Sequence, residues 1–171
     1  MLNLESVVMK KFIILSVMLF CAVTSFAQAL PEVLSIKDAL TIYKDGFGEA
    51  KAKMAELGYE FYGYDNSFNH WAKNCEYSND LQKAINFGKG ISSVVAIPDD
   101  KDDVTITVFN KATFIMLKGQ IVALGYKVTD QWGGSSGNYT EVYSKKGSPN
   151  ITASDESADS DMPYNILISN E

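Results

Sequence analysis

The chain has 171 residues, of which 21 are acidic, 15 are lysine and none is arginine, so its formal net charge is −6. Arginine is the side chain that most often reads guanine edges and phosphates, and an acidic surface repels a polyanion. The composition therefore argues against binding to nucleic acid or to an anionic membrane surface. The single histidine, His70, excludes every catalytic or metal site that needs two imidazoles.

The N-terminal segment has the three-part pattern of a secretory signal peptide. A short positive region at 9–11 precedes an apolar run at 12–23, and small residues at Ser25 and Ala27 suit cleavage after Ala27. The apolar run is shorter than the ~20 residues of a membrane-spanning helix. We expect translation to start at Met9, residues 1–27 to be removed, and the protein to be exported to the periplasm or the medium without membrane insertion.

Cysteine usage supports a chain without disulfides. Cys21 lies within the signal segment, and Phe20 before it is too large for a lipoprotein signal, so we expect no lipid anchor. Cys75 is then the single remaining thiol, and it is predicted to be a buried small apolar residue. The Lys-Lys start and Ser-Phe-Ala-Gln exit of the segment resemble the signals of exported Bacteroidetes proteins.

Residues 28–171, which are predicted to form a single domain, contain an internal repeat. Leu57-Gly58-Tyr59 recurs as Leu124-Gly125-Tyr126, each time at the end of an amphipathic pattern. A glycine just past a helix takes the left-handed conformation without steric cost. The first pattern predicts one continuous helix from 35 to 57, with its glycines off the apolar stripe, and the second predicts a helix that begins at Asn110 as its N-cap. Residues that coincide when the two Leu-Gly-Tyr segments are aligned are called equivalent.

Each helix pattern is followed by segments rich in Tyr, Val, Ile and Thr, which predict strands. They lie at 59–64, 70–77, 92–97 and 104–109, and again at 126–131, 139–145, 150–154 and 164–169; a short helix is predicted at 80–88. The fold class is therefore α+β: two tandem α-β-β-β-β repeats, about 35–109 and 110–171. They are expected to form a curved antiparallel sheet of about eight strands with two helices on one face.

This order, with Leu-Gly-Tyr at both helix ends, resembles the tandem helix-plus-sheet units of secreted beta-lactamase inhibitory proteins and related periplasmic modules. The saddle of the TATA-box-binding protein is a more distant likeness. The resemblance implies a sheet face left open opposite the helices. It carries no family motif, and a fold alone does not assign a function.

The first functional hypothesis is an exported, non-catalytic binding module that uses aromatic side chains on the open face. Under strict alternation the strand at 59–64 points Tyr62 and Tyr64 away from the helix. An exposed aromatic patch often marks a binding surface, although the same rings can instead pack on each other. The partner would be a protein or an extended polymer, and the oligomeric state is left open. The predicted binding residues are Tyr62, Tyr64, His70, Trp71 and Trp132.

The second hypothesis is a small secreted hydrolase that acts through paired carboxylates or through His70 and Asp65. No serine or cysteine lies in a recognisable nucleophile motif, and this favours the binding role. Enzymatic activity nevertheless stays open. The acidic turns at 99–103 and 155–161 lack the ligand spacing of an EF-hand. The Gly/Ser loop at 132–137 lacks the lysine and following helix of a phosphate loop. We therefore assign no catalytic residue, no metal and no cofactor.

Overall fold

The computed structural model describes residues 33–65, 67–78, 83–99, 103–133, 138–156 and 163–170. Over these ranges the helices are α1 (Ile36–Asp45), α2 (Phe47–Glu56) and α3 (Lys111–Ala123). None of the described helices is both long enough and apolar enough to cross a membrane. The predicted signal peptide at 1–27 lies outside the described residues. We refer to 33–109 as the first half and to 110–170 as the second half.

The strands of the first half are β1 (Glu60–Asp65), β2 (Phe68–Lys73), β3 (Glu76–Tyr77), β4 (Ala84–Ile85), β5 (Ser93–Pro98) and β6 (Asp103–Val108). Those of the second half are β7 (Lys127–Gly133), β8 (Tyr139–Ser144), β9 (Asn150–Asp155) and β10 (Tyr164–Ser169). Eight of them form one open antiparallel sheet in the order β1-β2-β5-β6-β10-β9-β8-β7, and β3 pairs with β4 in a separate ribbon. The predicted α+β class with an eight-stranded antiparallel sheet is confirmed.

The prediction of one continuous helix from 35 to 57 is wrong, because the chain breaks at Gly46. This glycine has a φ of 89°, and its N–H donates to the carbonyl of Ile42 at 2.7 Å, which ends α1. The predicted start is confirmed, since Ser35 Oγ accepts a hydrogen bond from the Asp38 N–H at 3.1 Å. The Asn110 side chain likewise accepts from the first turn of α3.

The main core lies between the helices and one face of the sheet, which we call the helix face. All three described helices contribute to it, and so do alternate residues of the sheet strands. Fully burying one such side chain stabilises the fold by about 1.5–3 kcal/mol. The intervening residues of each strand point to the opposite side, the outer face. The largest fully buried side chains include Ile36, Met54, Leu117, Ile121, Ile106, Ile151, Ile166 and Ile168.

A second, smaller cluster covers part of the outer face in the first half. The β3–β4 ribbon packs there, and the cluster consists of Ala72, Cys75, Ala84 and Val94, with Tyr62 and Phe109 against it. Cys75 is buried as predicted, and burial raises the pKa of its thiol. The short helix predicted at 80–88 is wrong over the described residues 83–88, because Ala84–Ile85 pairs with Glu76–Tyr77 as a strand.

Candidate binding face

The register of β1 departs from simple alternation because a β-bulge follows Phe61. Phe61 pairs with Trp71 and Tyr64 pairs with Asn69, so both Phe61 and Tyr64 lie on the helix side of the sheet. Tyr62 packs instead on the outer face, against the second cluster. The prediction that Tyr62 and Tyr64 share a face is therefore wrong, since the extra residue of the bulge reverses the alternation between them.

Trp71 is not on an open face either. Its partner in β5 is Val95, and both side chains lie in the main core under the helices. Trp71 is only 3% exposed, and its ring centroid lies 5.4 Å from that of Phe61. The predicted placement of Trp71 on the open face is wrong, because the pairing of β2 turns this side chain toward the helices.

His70 and Trp132 lie on the outer face. Trp132 pairs with Thr140 near the free edge of the sheet and is 53% exposed. His70 pairs with Ala96 and is half-buried. The side chain of Asp65 lies outside the described residues, so the proposed His70–Asp65 pair has no described geometry.

A row of cross-strand partners crosses the outer face from Trp132. Because neighbouring strands lie about 4.7–4.9 Å apart, the row extends about 19 Å from Trp132 to Thr107. Thr140 Oγ1 lies 3.2 Å from Ser154 Oγ, and Thr107 Oγ1 donates to Asn165 Oδ1 at 2.6 Å. The row begins with an exposed aromatic ring, continues with hydroxyl and carboxamide groups, and ends under the ribbon. In order it comprises Trp132, Thr140, Ser154, Asn165, Thr107, Val94 and Ala72.

A second row runs beside the first and has a more mixed character. It comprises Asp130, Val142, Thr152, Leu167, Thr105, Ala96 and His70. From Val142 to His70 these residues are all half-buried. We call the exposed and half-buried residues of both rows the uncovered face, and it consists of Trp132, Thr140, Ser154, Asn165, Asp130, Val142, Thr152, Leu167, Thr105, Ala96 and His70.

A polar cluster that sequence analysis missed joins α3 to β8 on the helix face. Lys118 forms an ion pair with Glu141, whose side chain is only 14% exposed, and the Tyr143 hydroxyl donates to the same carboxylate. Burial alone would raise the pKa of Glu141, but the hydrogen bonds from Lys118 and Tyr143 outweigh it and hold this pKa below its usual value. This carboxylate is therefore a fixed anion that ties the helix to the sheet.

Two other carboxylates line a pocket of about 280 Å³ beside the ribbon. Glu60 and Glu76 lie there with Tyr62 and Asn86, and Asn86 Nδ2 donates to Glu76 Oε2 at 2.7 Å. Burial and the nearby negative charges of Glu60 and Glu76 raise the pKa of the Tyr62 hydroxyl. Over the part of the chain that the structure describes, no group of three or more His, Cys, Asp or Glu side chains is arranged to hold a metal ion.

No family model matches the chain, and no significant match was found among curated proteins or solved structures. The likeness to beta-lactamase inhibitory proteins thus rests on the two Leu-Gly-Tyr helix ends and the order of the elements.

Proposed function

We propose that the chain is an exported, non-catalytic binding module whose uncovered face holds an extended polymer. The observation that carries the proposal is the row that starts at Trp132. An indole that is 53% exposed stands at one end of a line of hydroxyl and carboxamide groups. A flat ring beside groups that both donate and accept hydrogen bonds suits a ligand with apolar faces and many hydroxyls.

A polysaccharide fits this chemistry better than a charged polymer does. The central residues of the row, Thr140, Ser154 and Asn165, carry no formal charge, and each is half-buried. A neutral hydrogen-bonding surface loses little by exchanging water for sugar hydroxyls, whereas an unpaired charge there would have to be desolvated. The ~19 Å row is long enough to contact several consecutive units of such a chain.

Export and the repeat architecture are part of the same proposal. With a signal segment at 1–27, the ligand is expected outside the cytoplasm. Several features support two repeats, about 35–109 and 110–171. The strand order runs through the first half and then back through the second, and bulges follow the equivalent residues Phe61 and Val128. Lys73 and Lys145 each donate to a carbonyl at the end of a helix, that of Leu57 or Leu124, with a distance of 2.8 Å in both cases.

The test compares two aromatic side chains of equal exposure on opposite sides of the sheet. Trp132 is 53% exposed on the outer face, and Tyr64 is 55% exposed on the helix side. The purified protein is screened against a panel of soluble and insoluble polysaccharides. We expect Trp132→Ala to weaken binding about tenfold or more, the loss typical of a central aromatic contact, and Tyr64→Ala to leave it unchanged.

Tryptophan fluorescence gives a second readout. Trp71 is buried, so a ligand that binds the outer face should shift the emission of Trp132 and protect it from a soluble quencher. Binding that survives Trp132→Ala, or that Tyr64→Ala weakens equally, would contradict the proposal. Capture of proteins with no polysaccharide bound would assign the face to a protein partner instead.

One observation favours the hydrolase as a second candidate. Glu60 and Glu76 line the same pocket beside the ribbon, and paired carboxyl groups are what glycoside hydrolysis requires. If the pocket is catalytic, the protein should release new reducing ends from a polysaccharide, and both Glu60→Gln and Glu76→Gln should abolish this release. Turnover that neither substitution affects, or no turnover on any bound polysaccharide, removes this candidate.

A further inference from the structure

The outward side of α3 is apolar along its whole length. Apart from Lys111, every exposed residue of this helix is apolar or glycine. Ile115 and Val122 are each 59% exposed, and Met116 is 40% exposed. The solvent-facing side of a surface helix normally carries charged or polar side chains, so this composition is unusual. We call this surface the α3 stripe, and it consists of Ala112, Ile115, Met116, Gly119, Val122 and Ala123.

The polar side chains of α3 are used for contacts within the chain. Lys118 pairs with Glu141, and Gln120 Oε1 accepts a hydrogen bond from the Ile36 N–H at 2.9 Å. Lys111 Nζ lies 3.4 Å from a carboxylate oxygen of Asp155. The stripe therefore presents no uncompensated charge, although the chain as a whole carries −6.

The other half of the chain shows that the fold does not need apolar residues at these positions. At the positions equivalent to the stripe, the first half has Asp45, Gly48, Glu49, Ala52, Ala55 and Glu56. The inward residues of the two helices correspond, since Met54 and its equivalent Ile121 are both fully buried. The apolar character of the stripe is thus an addition to what packing among the described residues requires, and a contiguous exposed apolar patch of this kind marks a contact surface.

We infer that the α3 stripe is the interface of a homodimer in which two copies of α3 pack antiparallel and cross at Gly119. The stripe is nearly symmetric about this glycine. Ile115 and Met116 precede it by four and three positions, and Val122 and Ala123 follow it by three and four. An antiparallel pair therefore places the larger side chains of each copy against the smaller ones of the other, as a two-fold interface requires.

Two further features favour a second copy over a different protein. A Cβ on Gly119 would meet no atom within 4 Å, so a second helix backbone can approach closely there. Two chains of net charge −6 repel each other, and the stripe is a surface where they can meet without bringing like charges together. It also has no charge with which to select a different partner.

The expected dimer is weak and depends on concentration. A helix of 13 residues is about 20 Å long, and one helix pair buries less area than the ~1,600 Å² of a standard interface. Sedimentation equilibrium of the purified protein should show a monomer–dimer equilibrium with a dissociation constant on the order of micromolar. The inference does not rest on the proposed function, because the stripe and the uncovered face lie on opposite sides of the sheet.

The first test uses substitutions at equivalent positions of α3 and α2. Val122→Glu places a charge in the stripe and should raise the dissociation constant more than about tenfold. Ala55→Glu introduces the same charge at the equivalent exposed position of α2 and should leave the constant unchanged. Both positions are exposed, so at protein concentrations below the dissociation constant both variants should unfold at the temperature of the unsubstituted protein. A monomer at all concentrations, or a dimer that Val122→Glu does not weaken, overturns the inference.

The second test fixes the geometry. In an antiparallel pair that crosses at Gly119, two Gly119→Cys chains bring their thiols together and should form a disulfide-linked dimer under mild oxidation. Ala52→Cys, at the equivalent position of α2, should stay monomeric on the same gel. Cys75 is buried and does not interfere. Equal cross-linking of the two variants, or none in Gly119→Cys, contradicts the proposed crossing.

Discussion

The two Leu-Gly-Tyr helix ends are built alike, but only one of the two tyrosine hydroxyls is satisfied among the described residues. The Tyr59 hydroxyl accepts a hydrogen bond from the Leu34 N–H at 3.1 Å and donates to Ser93 Oγ at 3.0 Å. The Tyr126 hydroxyl is buried and has no hydrogen-bond partner in the described ranges. Burial raises the pKa of both hydroxyls. The same local sequence is therefore packed in two different environments.

The difference follows from the strand that passes each tyrosine. In the first half Ser93 pairs with Lys73. In the second half the pairing of β8 with β9 extends only to Tyr143 and Ile151, and the hydroxyl that acts on the pKa of Tyr126 is that of Ser148, in the turn at 145–149. The first half also places the ribbon between β2 and β5, whereas the second half connects β8 to β9 by the short turn at 145–149.

The two halves thus differ in how much of their surface is left exposed. The first half satisfies the buried Tyr59 hydroxyl and covers part of its outer face with the second cluster. The second half leaves its outer face accessible at Trp132 and its helix apolar at Ile115 and Val122. Both surfaces for which we propose a partner lie mainly in the second half, so substitutions there should affect binding more often than stability.

The largest expected effects come from the part of the fold in which the halves agree. Met54 and Ile121 occupy equivalent positions and are both fully buried. Truncating either to alanine removes apolar contacts and leaves a cavity, at a cost of about 3 kcal/mol of unfolding free energy. Urea denaturation of Met54→Ala and Ile121→Ala should give similar losses. A loss of less than about 1 kcal/mol in only one of the two variants would show that Met54 and Ile121 are not packed equivalently in the main core.

A smaller effect is expected where the halves differ in charge. Lys118 pairs with Glu141 in the second half, whereas its equivalent in the first half, Lys51, is exposed. Lys118→Met leaves a mostly buried carboxylate without its cation and should cost about 2 kcal/mol. The matched control, Lys51→Met, should stay within about 0.5 kcal/mol of the unsubstituted protein in the same urea titration. Equal losses in the two variants would remove the ion pair as the cause.

The same pair should give a characteristic pH dependence. The pKa of Glu141 is lowered in the folded state, so its contribution to stability is complete above the unfolded-state pKa and is lost as pH falls through the folded-state value. The destabilisation by Lys118→Met should therefore be large at about pH 7 and shrink at about pH 3. An equal loss at both pH values would mean that Lys118 acts through its cation–π contact with the Phe114 ring rather than through the carboxylate of Glu141.

The sequence alone was sufficient to predict the features that depend on a local pattern of residues. Ser35 and Asn110 cap their helices as their residue types predict. The composition of the strand segments predicted the antiparallel sheet. The break at Gly46 and the bulge after Phe61 also had local signals, namely a glycine within each pattern. Gly63 has a φ of 140°, which only glycine adopts readily, and a glycine inside a strand often marks a bulge.

The remaining features depend on contacts between distant residues. Trp71 is buried because β2 pairs with β5, which places Val95 beside it. The alternation of side chains along a strand predicts that neighbouring residues face opposite sides of the sheet. It does not predict which of them faces the helices. The ion pair of Lys118 with Glu141 likewise requires that α3 pack on β8 in one register. No local pattern carries this information, so the cluster could not have been predicted.

The smallest expected effect concerns the two tyrosines and separates the halves most directly. Tyr59→Phe leaves the buried Leu34 N–H without its acceptor and should cost about 1.5 kcal/mol, because an unsatisfied buried donor loses its hydration without replacement. Tyr126→Phe removes a hydroxyl that has no partner among the described residues, and it should change the unfolding free energy by less than about 0.5 kcal/mol or raise it. Thermal unfolding of the two variants under one set of conditions measures the difference. Equal losses would mean that the Tyr126 hydroxyl is satisfied in solution, with Ser148 as the neighbour that already acts on its pKa. A larger loss in Tyr126→Phe than in Tyr59→Phe would contradict the asymmetry between the halves.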